Sequence, residues 1–171
     1  MSIIYNRKSI RKYTNEQVSD DQVKDLLKAA MAAPSAGNSQ PWDFIVVRNK
    51  DTFEEIMKIS KYSTPLKTAS VAIIVCGNKD KEKFPGYWVQ DCSAATENIL
   101  LRAEEIGLGG VWLGIYPEEG RVNGLKKIFN LPETITPLAV ISIGYPDENR
   151  ATTDRFNEDN IHFETWGNKN N

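Results

Sequence analysis

The sequence predicts an α+β fold in which a mostly antiparallel central sheet carries helices on both sides. Two observations point there. Val71-Ala-Ile-Ile-Val-Cys76 is a continuous apolar run of strand length, the pattern of a strand buried on both faces and so covered above and below. Cys92, Ala95, Ile99, Ala103 and Ile106 recur at three- and four-residue steps, with Thr96 and Leu100 beside them. That spacing lays one apolar stripe along a long central helix from about Trp88 to Ile106. Gly107 follows as its expected C-terminal cap.

The other elements follow in chain order. Ser19 and Gln22 form a capping box ahead of Val23, Leu26, Leu27 and Ala30, which share one helical stripe. That helix leads into a loop from Pro34 to Trp42. Phe44-Ile-Val-Val47 reads as a strand, and Asp51 caps a short helix through Phe53, Ile56 and Met57. Val111 to Ile115 supplies a third strand, Val122, Leu125, Ile128 and Phe129 another amphipathic helix, and Leu138 to Ile143 a fourth strand ending at Gly144-Tyr-Pro. There is no internal repeat, and residues 1–171 are expected to form a single domain.

Composition excludes several classes. The 171 residues carry 21 basic and 23 acidic side chains, a net charge of −2, which argues against a broad nucleic-acid or anionic-membrane surface. The apolar run at the N-terminus is too short for a signal peptide, and no later stretch approaches the roughly 18 apolar residues of a spanning helix. A cytoplasmic protein is expected. Cys76 ends the apolar run and Cys92 lies on a helical face. Neither has metal-ligand spacing, so both are expected to be buried packing residues, and no metal site is expected.

Three segments carry chemistry. Arg7-Lys-Ser-Ile-Arg11 puts two guanidiniums, an ammonium and a hydroxyl within five residues, the donor set that grips a phosphate dianion; taken alone, it also reads as a solvated charge run. Ala33-Pro-Ser-Ala-Gly-Asn-Ser-Gln-Pro-Trp42 crowds small and amide side chains between two prolines. Such a stiff polar loop can hydrogen-bond the rim of a planar heteroaromatic ring, or be a helix end followed by a turn. Gly107-Leu-Gly-Gly-Val-Trp-Leu-Gly114 lets backbone approach a ligand closely, or is a buried strand with a glycine bulge.

In content and order these segments resemble the nitroreductase family of FMN-dependent oxidoreductases, and the likeness runs from Tyr5 to Trp166. The resemblance implies FMN as cofactor and NADH or NADPH as co-substrate. It implies that Arg7, Ser9 and Arg11 hold the FMN phosphate and ribityl chain while Lys8 lies against the ring system. Pro34, Ser35, Ala36, Asn38 and Gln40 match the loop that contacts the ring from the opposing subunit. Backbone groups of Trp112, Leu113 and Gly114 match those facing its reactive edge. Arg155, in Thr-Asp-Arg-Phe, matches a basic residue that closes on the phosphate, with Arg150 as the second candidate. No catalytic side chain is required, since a nicotinamide passes its hydride to the cofactor and a small-molecule acceptor then takes the same place.

The segment from Asp147 to Asn171 is mostly polar, punctuated by Phe156, Ile161, Phe163 and Trp166. It has too little apolar density to fold alone and must lie on its own domain or on a second subunit. The resemblance favours the second: an intertwined homodimer whose C-terminal arm embraces the partner. His162, the only histidine, lies in this arm and is expected to pack or to sit at the dimer interface. The connection from Gly77 to Trp88 is short where larger members of the family insert helices, so this chain resembles the minimal branch. Tyr62, Tyr87 and Trp88 are then the candidate roof for a flat acceptor, or are helix-end packing. The leading function is reduction of a nitroaromatic, quinone or other conjugated acceptor. The alternatives are another flavin enzyme on the same scaffold, such as a flavin-destructase, a dehalogenase or an azoline dehydrogenase, and a non-catalytic flavin-binding protein.

Overall fold

The computed structural model describes residues 2–169. Met1, at the start of the expected domain, and Asn170 and Asn171, at the end of the expected arm, lie outside them. The helices are α1 (Ile3–Asn6), α2 (Asp20–Met31), α3 (Lys50–Ile59), α4 (Trp88–Glu105) and α5 (Glu119–Phe129), and the strands are β1 (Trp42–Val47), β2 (Val71–Asn78), β3 (Gly109–Gly114) and β4 (Ile135–Gly144). The strands form one sheet in the order β1-β2-β4-β3, antiparallel at every pairing. No helix of the described residues is long and apolar enough to cross a membrane.

The uninterrupted apolar run of β2 is explained by what covers it. Side chains alternate across a strand, so Val71, Ile73 and Val75, with Ala139, Ile141 and Ile143 of β4, meet Leu26 and Ala30 of α2 and Cys92, Ala95, Ile99 and Ala103 of α4. Ala72, Ile74 and Cys76, with Val140, meet Phe53 and Ile56 of α3 and Leu125 of α5. Both faces are dry. Ile99 is fully buried in the first of these layers, and cutting it to alanine should cost about 2–5 kcal/mol, a large share of a domain's net stability.

Several element ends differ from the sequence reading. The capping box at α2 is present in both directions, but Asn49, not Asp51, caps α3: its side chain accepts the Thr52 amide at 3.0 Å. Asp51 falls instead in the first turn, where a negative charge suits the helix dipole. Strand β4 begins three residues before Leu138. Pro137 lies within it at a register shift between Val75 and Cys76, and a bulge of this kind lets a strand tolerate a residue without an N–H. Helix α4 ends where expected, with Ile106 as C-cap and Gly107 in the left-handed region at φ +78°.

The polar arm leaves this framework. From Asp147 to Lys169 it has one short helical turn, Glu158–Asn160, and residues 149–161 are all exposed. Phe156 and Trp166 are 71% and 90% exposed. Packing of the arm on its own domain, one of the two readings of its composition, is not what this chain does with those rings.

Candidate functional site

The Arg7–Arg11 segment is held along the outer edge of β3. Ser9 forms a parallel bridge with Gly110, and the Ile10 amide donates to the Gly110 carbonyl at 3.0 Å. Buried Ile10 anchors the segment from below. Tyr13 fastens its far end, donating its hydroxyl to the Ile10 carbonyl at 2.6 Å and lying 2.8 Å from the Ser142 hydroxyl. Burial pushes the Tyr13 phenol well above its ordinary range, so it stays a donor.

The charged side chains of the segment each find a partner. Arg7 Nε lies 3.1 Å from Glu97 Oε1, and Lys8 Nζ lies 3.8 Å from Glu104 Oε1. Arg11 Nη1 donates to the Ser9 carbonyl at 3.4 Å, while its backbone amide donates to Glu148 Oε1 at 2.5 Å. Arg150 Nε lies 3.0 Å from the other oxygen of Glu148. Burial opposes the charge on Glu148, but the Arg11 amide and the Arg150 guanidinium outweigh it and hold the carboxyl below its ordinary range. Of the two candidate arm cations, Arg150 is therefore the one tied to this segment. Arg155 instead lines a cleft with Ile4, Tyr5 and Phe156.

Farther along the same edge, alternation decides which backbone groups face outward. Gly110 O meets Ile10 outside the sheet and Gly114 O accepts from Arg121 Nη1 at 2.9 Å, so Gly110, Trp112 and Gly114 point their amides away from β4. Leu113 turns inward. Outside the strand ladder, from which they point away, the N–H groups of Trp112 and Gly114 meet no backbone acceptor among the described residues. From Gly110 to Gly114 this edge extends about 13 Å.

The second predicted loop has unusual backbone. Gly37, Asn38 and Gln40 all lie in the left-handed region, at φ +56°, +53° and +50°. Two of these are not glycine, a sparsely populated state that persists only where surroundings enforce it. The Ser35 hydroxyl accepts the Gln40 amide at 3.0 Å, and Gln40 Nε2 donates to Asn38 Oδ1 at 3.1 Å. Ala36, which follows exposed Pro34 and half-buried Ser35, donates its amide to Asp91 Oδ1 at 3.0 Å. Lys83 Nζ donates to the Gly37 carbonyl at 3.0 Å.

One chain does not bring the two segments together. On α4, Asp91, Asn98 and Arg102 form the stripe that meets Ala36, Ala29 and Asp25, while Glu97 and Glu104 form the stripe that meets Arg7 and Lys8. At 3.6 residues per turn these stripes are about 130° apart around the helix. The loop and the basic segment thus occupy opposite flanks of α4.

The three candidate roof aromatics divide between the two readings. Trp88 is buried, its ring packed over Gly77, where an added Cβ would come within 2.2 Å of it, and edge-on to Tyr116 at 4.9 Å. It is a core residue at the start of α4. Tyr62 and Tyr87 are exposed, with Arg121 set 5.5 Å over the Tyr62 ring. His162 stacks on Trp166 at 4.2 Å and accepts the Gly167 amide at 3.0 Å, so it serves the arm's own turn. Cys76 and Cys92 are free and buried, as expected; burial pushes the Cys76 thiol up to about 12 and the Cys92 thiol higher still. No group of three or more His, Cys, Asp or Glu side chains poised for a metal ion occurs among the described residues.

A model of the family described as "Nitroreductase family" matches residues 4–65 and 60–145. The chain belongs to the Nitroreductase family. A Methanothermobacter thermautotrophicus protein provisionally named NADH dehydrogenase/NAD(P)H nitroreductase is 49% identical over 166 residues, 97% of this family member and 87% of the relative. The crystal structure of a provisionally named NADH oxidase from Clostridium acetobutylicum superposes with a TM-score of 0.93 at 46% identity, covering 96% of this nitroreductase-family chain and 100% of that one. A provisionally named nitroreductase from Desulfovibrio desulfuricans, crystallised in complex with FMN, superposes with a TM-score of 0.83 at 30% identity, covering 96% and 95% of the two chains.

Sequence reasoning missed Glu148, Tyr13 and Asp91, which hold the predicted segments in place. Each acts across a long stretch of chain, and no local pattern marks it. Asp91 alone left a trace, as a carboxylate beside Cys92 at the edge of an otherwise apolar stripe.

Proposed function

We propose that this chain is an FMN-dependent oxidoreductase that uses NADH or NADPH to reduce a nitroaromatic, quinone or other conjugated acceptor. The outer edge of β3 carries this reading. A cluster of cations lies at one end of it and the outward amides of Trp112 and Gly114 follow about 7 and 13 Å along it, which suits a ligand with a phosphate at one end and a heteroaromatic ring at the other. In this reading Arg7, Ser9 and Arg11 hold the phosphate, with Arg150 or Arg155 closing on it. Lys8 and the amides of Trp112 and Gly114 lie toward the ring.

The pairing of Arg7 with Glu97 and of Lys8 with Glu104 is compatible with this role. Partly exposed ion pairs contribute only about 0–1 kcal/mol, whereas a phosphate offers each guanidinium bidentate, charge-assisted bonds. The exchange favours the phosphate. FMN, when bound, supplies a carrier that takes two electrons from a nicotinamide and delivers them to an acceptor. The protein's part is electrostatic: fixed N–H donors stabilise negative charge developing on a bound ring without having to reorganise, and Lys8 adds a positive charge beside it. Exposed Tyr62 and Tyr87 offer flat surfaces to the acceptor.

The names of relatives support the cofactor and co-substrate. A Bacillus subtilis relative, 26% identical over 183 residues, is an FMN reductase [NAD(P)H], and the Desulfovibrio structure holds FMN. We further propose a cytoplasmic homodimer of this single domain, in which Pro34, Ser35, Ala36, Asn38 and Gln40 of one copy meet the ring held by the other. The separation of the two segments around α4 and the exposed arm both favour it.

The visible spectrum of the purified protein, before and after anaerobic addition of NADH or NADPH, tests the activity. Bleaching of a bound-flavin band is expected. A protein that neither carries nor takes up FMN overturns the reading, and a flavin band that no reduced nicotinamide bleaches makes the protein a binder.

A further inference from the structure

Asp91 is a buried carboxylate that the fold does not need where it stands. It lies in the first turn of α4, 5% exposed, yet it does not serve the start of that helix: Glu82 does, accepting the Trp88 amide at 3.0 Å. Its one hydrogen bond as an acceptor leaves the helix altogether, Oδ1 taking the Ala36 amide at 3.0 Å. Oδ2 is buried and has no hydrogen-bond partner among the described residues. The Ser39 hydroxyl, in the same loop, is likewise buried without a partner. An unmatched buried oxygen carries a desolvation penalty that an apolar side chain of similar size avoids, so packing does not account for a carboxylate here.

The loop it grips is the one with the improbable backbone. Gly37, Asn38 and Gln40 adopt left-handed conformations within four residues, and Ala36 lies immediately before them. The other restraints on the loop are weaker or internal. Lys83 reaches the Gly37 carbonyl from an exposed position, and the Ser35 and Gln40 contacts move with the loop itself. Asp91 is the buried side-chain attachment of the loop to the helical core.

We infer that Asp91 is a positioning residue, whose carboxylate holds the 35–40 loop in the conformation from which Asn38 and Gln40 meet the cofactor ring. This rests on the FMN reading above. Asp91 touches no reacting atom. It acts through Ala36, so its removal should loosen the loop first and the cofactor second, and asparagine, which offers an acceptor oxygen of the same reach, should replace it.

Two readouts on wild type, Asp91→Ala and Asp91→Asn test this. One is the FMN dissociation constant by flavin fluorescence; the other is hydrogen–deuterium exchange of the 35–40 loop in the cofactor-free protein. Asp91→Ala should speed exchange in the loop while β2 stays protected, and should raise the dissociation constant about tenfold, the size expected for losing one buried hydrogen bond. Asp91→Asn should match wild type in both. Unchanged loop exchange or unchanged FMN affinity in Asp91→Ala overturns the inference. If Asp91→Ala does not fold, Asp91→Asn decides: retained loop protection and FMN affinity support the inference, and loss of either overturns it. Wild type that takes up no FMN overturns the underlying reading instead, and is recognised without any substitution.

Discussion

Glu148 accepts the backbone amide of Arg11 at 2.5 Å, joining positions 137 residues apart. Strand β4 delivers Glu148 to the basic segment, and Arg150 holds its second oxygen. The carboxylate thus fixes the backbone from which Arg11 projects, without occupying the guanidinium itself. Because its folded-state pKa is depressed, its contribution to stability is present above the ordinary carboxyl value of about 4.3 and is lost as pH falls through the lower folded value. Glu148→Gln should therefore lower the melting temperature at neutral pH, with the gap to wild type closing below about pH 4. A gap that stays constant down to acid pH would show that the charge of Glu148 does no such work.

Neither thiol should react in the native protein. Burial raises both Cys76 and Cys92 far above neutrality, and the thiolate is the nucleophile. A chromogenic disulfide reagent at pH 8 should find no free thiol until denaturant is added, then both. Rapid modification of either in the folded state would contradict their burial.

The parts of the fold legible in the sequence are those set by local pattern. The buried run Val71–Cys76, the α4 stripe and the Ser19–Gln22 box all fall where periodicity and capping chemistry put them. Boundaries failed where tertiary structure overrode a local signal. Pro137 looks like a strand stop until the bulge in β4 absorbs it, and Asp51 looks like a cap until Asn49 is seen to occupy that place. Trp88 was ambiguous for a different reason: whether an aromatic lies in or over a site depends on the space opposite it, here provided by Gly77. The site segments were legible as chemistry but not as geometry, because Asp91, Tyr13 and Glu148 reach them across the fold.

The basic segment should govern cofactor retention. Replacing Arg7 and Arg11 together by alanine removes the bidentate partners of a phosphate while leaving its charge, and should weaken FMN binding by about two to four orders of magnitude, at about 1.5–3 kcal/mol for one charged hydrogen bond per arginine. The backbone of the segment is pinned independently by Ile10 and Tyr13, so the variant should remain folded by circular dichroism. Tight flavin retention by the double variant would move the phosphate site elsewhere.

The arm should couple assembly to cofactor binding. Phe156 and Trp166 expose more apolar ring surface than a polar segment holds in water without a purpose, and Arg155, beside Phe156, lines a cleft with Ile4 and Tyr5 just ahead of the basic segment. If a second copy covers these rings, one interface supports both the dimer and the site that the dimer completes. Deleting residues from Phe156 onward should then weaken self-association and FMN affinity together, because a ligand that binds only the assembled form draws on the same equilibrium. Sedimentation velocity at several concentrations, paired with flavin titration of the same samples, measures the two quantities side by side. A truncated protein that stays dimeric with unchanged FMN affinity would show that residues 156–171 have no part in either; loss of FMN affinity with the dimer intact would confine their role to the cofactor site.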